Sequence, residues 1–239
     1  MKTKFKDIYI NYEVLGEKGP WIVFLHGWGG STESFKIVAK SFDANRCLLL
    51  DFPPFGESEE PYEVWNNDTY VALVKHILDE LKIKTCDIIA HSFGGRVAIK
   101  FANRYNESVK KIILVDSAGI KPRFSLKKFI RIKRYKLAKK FGLKTRDYSS
   151  PDYKKLSPLM KKTFVNIISE DLSPLLKNIT CPTLIIFGKD DKETPLYMAK
   201  KINKKIKDSA LVVFENCGHF AYLEDFYRFV AISKSFLKG

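Results

Sequence analysis

Ser92 lies in the stretch Ile88-Ile89-Ala90-His91-Ser92-Phe93-Gly94-Gly95, where an apolar run meets a serine set among small residues. Such a run reads as a buried strand. A serine between Ala90 and Gly94 reads as a nucleophile on a tight strand-to-helix turn, the pattern G-x-S-x-G with alanine at the first glycine position. Small residues are required two positions to either side because the backbone folds back on itself there. The turn lifts the hydroxyl clear of the sheet and aims a helix N-terminus at the reacting atoms. A serine hydroxyl is a weak nucleophile near neutral pH, so a base must take its proton as it attacks. Imidazole has a pKa suited to that task, and a carboxylate beside it would fix the tautomer and stabilise the imidazolium.

The elements that must position these groups follow from periodicity. Phe5 to Val14 alternates as an opening strand or hairpin. Trp21–Leu25, Cys47–Leu50, Ile88–Ala90, Ile112–Val115, Thr183–Phe187 and Leu211–Phe214 are continuous apolar runs, the pattern of strands buried on both faces. Helical spacing covers Ser31–Phe42 (with Ser31 or Thr32 as N-cap), Asn67–Leu81, Gly95–Tyr105, Leu196–Ile206 and Asp225–Leu237. Alternating strands and helices predict an α/β fold, a mostly parallel twisted sheet with helices on both faces. Ligands of such sheets bind at the carboxyl ends of the strands. The residues just past the strands are His26 to Gly30, Asp51, Ser92, Asp116, Gly188 to Asp191 and Cys217 to His219.

The chain order, serine then aspartate then histidine, is that of the α/β-hydrolases, and the sequence resembles that superfamily nearly end to end. Five stretches carry the resemblance. Leu25-His26-Gly27-Trp28-Gly29-Gly30 is similar to the oxyanion loop. Asp51 to Ser58 is similar to D-x-P-G-x-G-x-S, with Pro54 in place of a glycine. Ala90 to Gly95 is the elbow. Gly188 to Pro195 matches the acid loop G-x-x-D-x-x-x-P, and Asn216 to Phe220 the histidine loop. The resemblance implies Ser92 as nucleophile, His219 as general base and Asp191 as its carboxylate, with Asp190 and Asp116 as alternatives for the acid. It implies the backbone N–H groups of Trp28 and Phe93 as the oxyanion hole, a donor of this kind being worth roughly 10²–10³ in rate. Gly27, Trp28 and Phe93 are the expected substrate-binding residues, the loop glycines allowing the amide a close approach. For the Trp28 ring, lining an acyl pocket and plain packing both stand. His26 is expected to support its loop. His91 is expected to point away from Ser92 and pack, and Cys217 to fill a tight turn as a small residue. His76 is expected to be solvated or a satisfied core residue.

Charge divides the chain unevenly. The net charge is +15, and residues 118–180 hold 17 Lys/Arg against 4 Asp/Glu, while the rest of the chain holds 25 against 23. That segment sits where the superfamily inserts its cap. Leu126, Phe129, Ile130, Leu137 and Phe141 recur among lysines and arginines as a basic amphipathic helix. The expected organisation is an α/β-hydrolase core of residues 1–118 and 180–239 with a basic, mostly helical cap over 119–179. The cap's lysines are solvated, or they attract an acidic acyl-carrier protein or an anionic membrane surface. No recognition motif or stacking platform accompanies the charge, which argues against nucleic acid. The four cysteines are scattered with no C-x-x-C pair. They read as reduced thiols of a cytoplasmic protein with no metal site. Met1 to Asp7 has no apolar segment of a secretory signal.

The expectation is a hydrolase that cleaves a carboxylic ester or thioester through an acyl-serine, with no cofactor. Ser92 stands where dehalogenase and epoxide-hydrolase relatives carry an aspartate, which disfavours those reactions. Carbon–carbon bond hydrolysis by the same triad stays open, as does a non-catalytic ligand-binding protein on the same fold.

Overall fold

In the computed structural model, residues 1–122 and 151–238 are described. The strands are β1 (Lys2–Phe5), β2 (Ile8–Leu15), β3 (Trp21–Leu25), β4 (Arg46–Leu50), β5 (Cys86–His91), β6 (Val109–Val115), β7 (Thr183–Gly188) and β8 (Ser209–Phe214). They form one eight-stranded sheet in the order β1-β2-β4-β3-β5-β6-β7-β8. The β1–β2 and β2–β4 pairs are antiparallel, and every pair from β4–β3 to β7–β8 is parallel. The helices are α1 (Glu33–Ala39), α2 (Asn67–Glu80), α3 (Phe93–Arg104), α4 (Pro151–Lys155), α5 (Pro158–Ser169), α6 (Leu196–Lys205), α7 (Ala221–Glu224) and α8 (Phe226–Lys238).

Successive strand residues alternate between two cores, as the two-residue side-chain period demands. Val23, Leu25, Ile88, Ala90, Ile112, Leu114, Ile185 and Phe187 pack beneath α2, α3 and α6. Phe24, Ile89, Ile113, Val115, Leu184 and Ile186 face α1 and α8 from the other side. Both faces are covered, which is why these strands read as unbroken apolar runs rather than alternating ones.

The element ends differ from the sequence reading where tertiary contacts compete with local signals. Thr32 precedes α1 but is itself helical, and its side chain makes no capping bond. Its N–H instead donates to the Asp51 carboxylate and its hydroxyl to Glu13. The expected last helix over Asp225–Leu237 is α8, and a short α7 that the sequence reading did not give precedes it. Of the expected cap, α4 and α5 are described between β6 and β7, whereas the basic helix over Leu126–Phe141 lies outside the described residues. Ser157 caps α5 by accepting the Met160 N–H at 3.1 Å, with Pro158 at its first position. Met160, Thr163 and Ile167 form the buried face of α5. The buried Arg96 of α3 donates to the Glu170 carbonyl, tying the helix that follows Ser92 to the end of α5. Among the described residues no helix is long and apolar enough to cross a membrane.

Candidate active site

The turn after β5 places Ser92 at φ 49°, ψ −111°, outside the regions an L-residue prefers. Ala90 is not among the residues with positive φ; it lies inside β5 and is fully buried. The strain therefore falls on the serine itself, and alanine is tolerated at a position that needs a small residue but not a glycine backbone. Gly94 is different, since a Cβ there would run into the carbonyl oxygen of Leu25. The first turn of α3 can approach β3 only without a side chain.

Three side chains from three loops meet at this turn. The Ser92 hydroxyl lies 3.0 Å from His219 Nε2. His219 Nδ1 lies 2.8 Å from Asp191 Oδ2. The carboxylate can only accept, so Nδ1 carries the proton and Nε2 is left to receive the serine proton. Asp191 is fixed in turn: Oδ1 accepts the N–H groups of Glu193 (2.7 Å) and Thr194 (3.0 Å), and the Thr194 hydroxyl lies 2.5 Å from Oδ2. Burial alone would raise the Asp191 carboxyl, but the bonds from His219 and Thr194 outweigh it and hold it below the usual carboxylate range. Burial pulls His219 down, yet the bond and charge of Asp191, with Glu193 and Asp116 behind it, set its pKa above the ordinary imidazole value. Asp190 is exposed and its side chain takes no part in this chain of bonds.

Asp116, the other alternative for the acid, sits behind the pair rather than in it. It is fully buried just past β6, at φ 43°. Its Oδ1 accepts the Gly188 N–H at 2.8 Å and its Oδ2 the Ala221 N–H at 3.1 Å. It thus links the start of the acid loop to the helix that follows His219. Burial pushes this carboxyl up to about 7, against the two N–H groups and His219 that pull it down.

Phe93 opens α3, so its N–H has no partner within the helix. Among the described residues neither this N–H nor that of Trp28 has an acceptor. Both belong to segments that touch Ser92. The loop of Gly27 and Trp28 is held from below: the neutral His26, pushed down to about 4 by burial, lies 2.7 Å from the Gly27 carbonyl through Nδ1 and accepts the Phe52 N–H through Nε2 at 2.8 Å. Asp51 anchors the adjoining loop through Asn11, Thr32 and Glu57, and its carbonyl accepts the Ser58 hydroxyl. The aspartate and serine that open and close that motif are a structural knot. The Trp28 ring packs against Phe55, Phe93 and Phe164 of α5, with centroids 4.9, 5.4 and 5.1 Å away.

The remaining residues singled out in the sequence take the following places. His91 does pack, but against the histidine loop: its Nε2 donates to the His219 carbonyl at 2.7 Å, and the two rings lie 4.8 Å apart. Burial drives His91 down to about 3, so it is neutral. Gly27 lies against this ring, since a Cβ there would lie 2.7 Å from His91 Nδ1. Cys217 is buried in its turn with its thiol pushed up by burial, in keeping with packing. His76 is partly exposed on α2, 3.6 Å from Glu80. One group at the site was not anticipated. Glu193, two residues past Asp191, places Oε2 3.3 Å from His219 Nε2. It falls in a variable position of the acid loop, where spacing carries no signal about side-chain direction.

The chain matches the alpha/beta hydrolase fold family over residues 20–148 and 141–226. It is 29% identical to the AB hydrolase superfamily protein YisY of Bacillus subtilis, over 94% of this chain and 93% of that one. It is 23% identical to 2-hydroxy-6-oxo-2,4-heptadienoate hydrolase of Pseudomonas putida, over 96% and 93%. Among solved structures, MGS-M2, an alpha/beta hydrolase enzyme from a Medee basin deep-sea metagenome library, superposes with a TM-score of 0.82 at 22% identity, covering 100% of this chain and 98% of that one.

Proposed function

The chain belongs to the alpha/beta hydrolase fold family, and from that premise we propose that it is a serine hydrolase cleaving a carboxylic ester or thioester. The observation that carries the reading is the unbroken path from Ser92 Oγ to His219 Nε2 (3.0 Å) and from His219 Nδ1 to Asp191 Oδ2 (2.8 Å). Ser92 attacks the carbonyl carbon as its proton passes to His219. The resulting oxyanion accepts the N–H groups of Trp28 and Phe93. The imidazolium, steadied by Asp191, gives the proton to the leaving oxygen or sulfur as its bond to carbon breaks. Water then repeats the sequence on the acyl-serine. The Trp28 and Phe164 rings beside the oxyanion loop supply an apolar wall for the acyl group.

A second reading is hydrolysis of a carbon–carbon bond in a carbonyl compound, favoured by the relative named for a dienoate. The same base and oxyanion donors serve it. Labelling by a fluorophosphonate probe tests the common part: the reading expects a labelled wild type and an unlabelled Ser92→Ala. Equal labelling of both overturns it. A series of nitrophenyl esters of rising acyl length then separates the two readings. The ester reading expects efficient turnover that depends on chain length, and the carbon–carbon reading expects weak turnover at every length.

A further inference from the structure

His219 Nε2 has two neighbours, and the mechanism uses only one. Besides the Ser92 hydroxyl, the Glu193 carboxylate stands 3.3 Å away with its side chain 72% exposed. Its backbone is held on both sides, since its own N–H and that of Thr194 donate to Asp191 Oδ1 and Pro195 follows. Lys189 on the same loop is engaged elsewhere, with Glu215 at 2.6 Å. Among the described residues Glu193 pairs with His219 and with no lysine or arginine.

The place matters because of what Nε2 must do next. After attack it carries the serine proton, and it delivers that proton to the atom that leaves. The leaving atom therefore sits within hydrogen-bond reach of Nε2, about 3 Å from it. A carboxylate oxygen 3.3 Å from the same nitrogen borders the leaving-group subsite. Substituents two or three bonds beyond the leaving atom come within about 6–8 Å of that charge, where a unit charge changes affinity about two- to threefold in water and more in a drier site. We propose that Glu193 sets the charge preference of the leaving-group subsite, so that this hydrolase takes esters and thioesters whose leaving group bears an ammonium or other cation and turns away those bearing a carboxylate or phosphate. The proposal rests on the Ser92–His219–Asp191 reading.

A purely structural Glu193, serving only to bias His219 toward protonation, would act alike on every substrate. Substrates that share an acyl group and the shape of the leaving group but not its charge, compared between proteins, separate the two roles. A short-chain thiocholine ester and its 3,3-dimethylbutyl isostere are such a pair, trimethylammonium against tert-butyl. The quantity read is the ratio of their kcat/KM values within each protein, which cancels any general loss. The cationic thiol is also the more acidic and so the better leaving group in every protein, and the contribution of Glu193 is the change in this ratio on substitution, modest because the carboxylate is exposed. Glu193→Gln lowers the ratio about three- to tenfold relative to the wild type and Glu193→Lys lowers it further. Raising ionic strength from about 0.01 to about 1 M, which shortens the Debye length from about 30 to about 3 Å, erodes the wild-type preference without any substitution. A ratio unchanged between wild type and Glu193→Gln overturns the proposal. Ser92→Ala run beside them keeps the two failures apart. If it still turns over both esters, the triad reading fails. If it is silent while the ratio stays fixed in Glu193→Gln, only the role of Glu193 fails.

Discussion

Replacing Asp116 by asparagine removes a buried charge while keeping the shape of the side chain, and its effect should change sign with pH. The carboxylate accepts two backbone N–H groups, from Gly188 and Ala221. An asparagine offers one oxygen, so one of these donors meets an NH₂ group and goes unsatisfied, a cost of about 1–3 kcal/mol. Against this stands the cost of ionising the wild-type group. Its pKa is about 7 in the fold, against about 3.9 in an unfolded chain. Between those values the folded state holds a proton that the unfolded state has released. Unfolding free energy therefore falls as pH rises through the window, by about 4 kcal/mol in all. The amide of Asp116→Asn does not titrate and escapes that loss. Near pH ~4.5 the variant should be the less stable protein by about 1–3 kcal/mol, and by pH ~8 the order should reverse. Urea unfolding of both proteins across this range, followed by fluorescence, measures the difference directly. The buried Asp87 titrates in both proteins and largely cancels, whereas His219, whose pKa Asp116 helps to raise, moves down in the variant. Parallel stability curves would refute the reasoning. They would mean that the two N–H groups and His219 suffice to keep Asp116 ionised throughout.

Asp191→Asn should leave the fold intact and lower kcat by roughly 10⁴, because an amide lets His219 take the wrong tautomer; circular dichroism with ester turnover checks both halves. Gly94→Ala drives a Cβ into the Leu25 carbonyl, so the elbow must shift. A drop in melting temperature together with slower fluorophosphonate labelling is the expected result, and unchanged labelling would contradict it. His219 works as a base only when neutral, and its pKa is raised by Asp191 and by Glu193. The rising limb of kcat/KM against pH should therefore lie above 6.5, and it should move to lower pH in Glu193→Gln.

The sheet and the three side chains that meet at its edge were legible because each has a local signature. Continuous apolar runs marked the strands at Ile88 and Ile112, and small residues around Ser92 marked the turn. Asp191 and His219 were found from motif register, which encodes where a loop leaves the sheet. What stayed hidden depends on contacts between segments far apart in sequence. Alternation places His91 away from Ser92, but it cannot say that the ring reaches the carbonyl of His219, 128 residues on. Thr32 looks like a cap until Asp51, 19 residues away, takes its N–H. Asp116 could be placed at the active edge, yet its role as a link depends on Gly188 and Ala221 arriving from two other loops. Glu193 carried no sequence signal at all, because the direction of its side chain is set by how its backbone wraps Asp191.

The geometry of the site comes from the register of the sheet. Positive φ angles occur just past β5, β6 and β8, at Ser92, Asp116 and Asn216. Each such residue costs of order 1–3 kcal/mol unless its surroundings hold it. Here the neighbouring strands do so. Ser92 N–H donates to the Val115 carbonyl and Asp116 N–H to that of Ile186, while Ala118 N–H returns to Ser92. Asp190 N–H closes the set on the Cys217 carbonyl. Parallel pairing sets His91 beside Val115, Val115 beside Ile186 and Gly188 beside Phe214. The turns that follow are thus stacked side by side at one edge. A slip of one residue between β5 and β6 would bring His91 to where Ser92 stands and send the hydroxyl to the opposite face. A 3.0 Å contact between groups 127 residues apart therefore needs no long lever of its own. It requires only that four adjacent strands, β5, β6, β7 and β8, end in register and that buried acceptors such as Asp116 keep their turns joined.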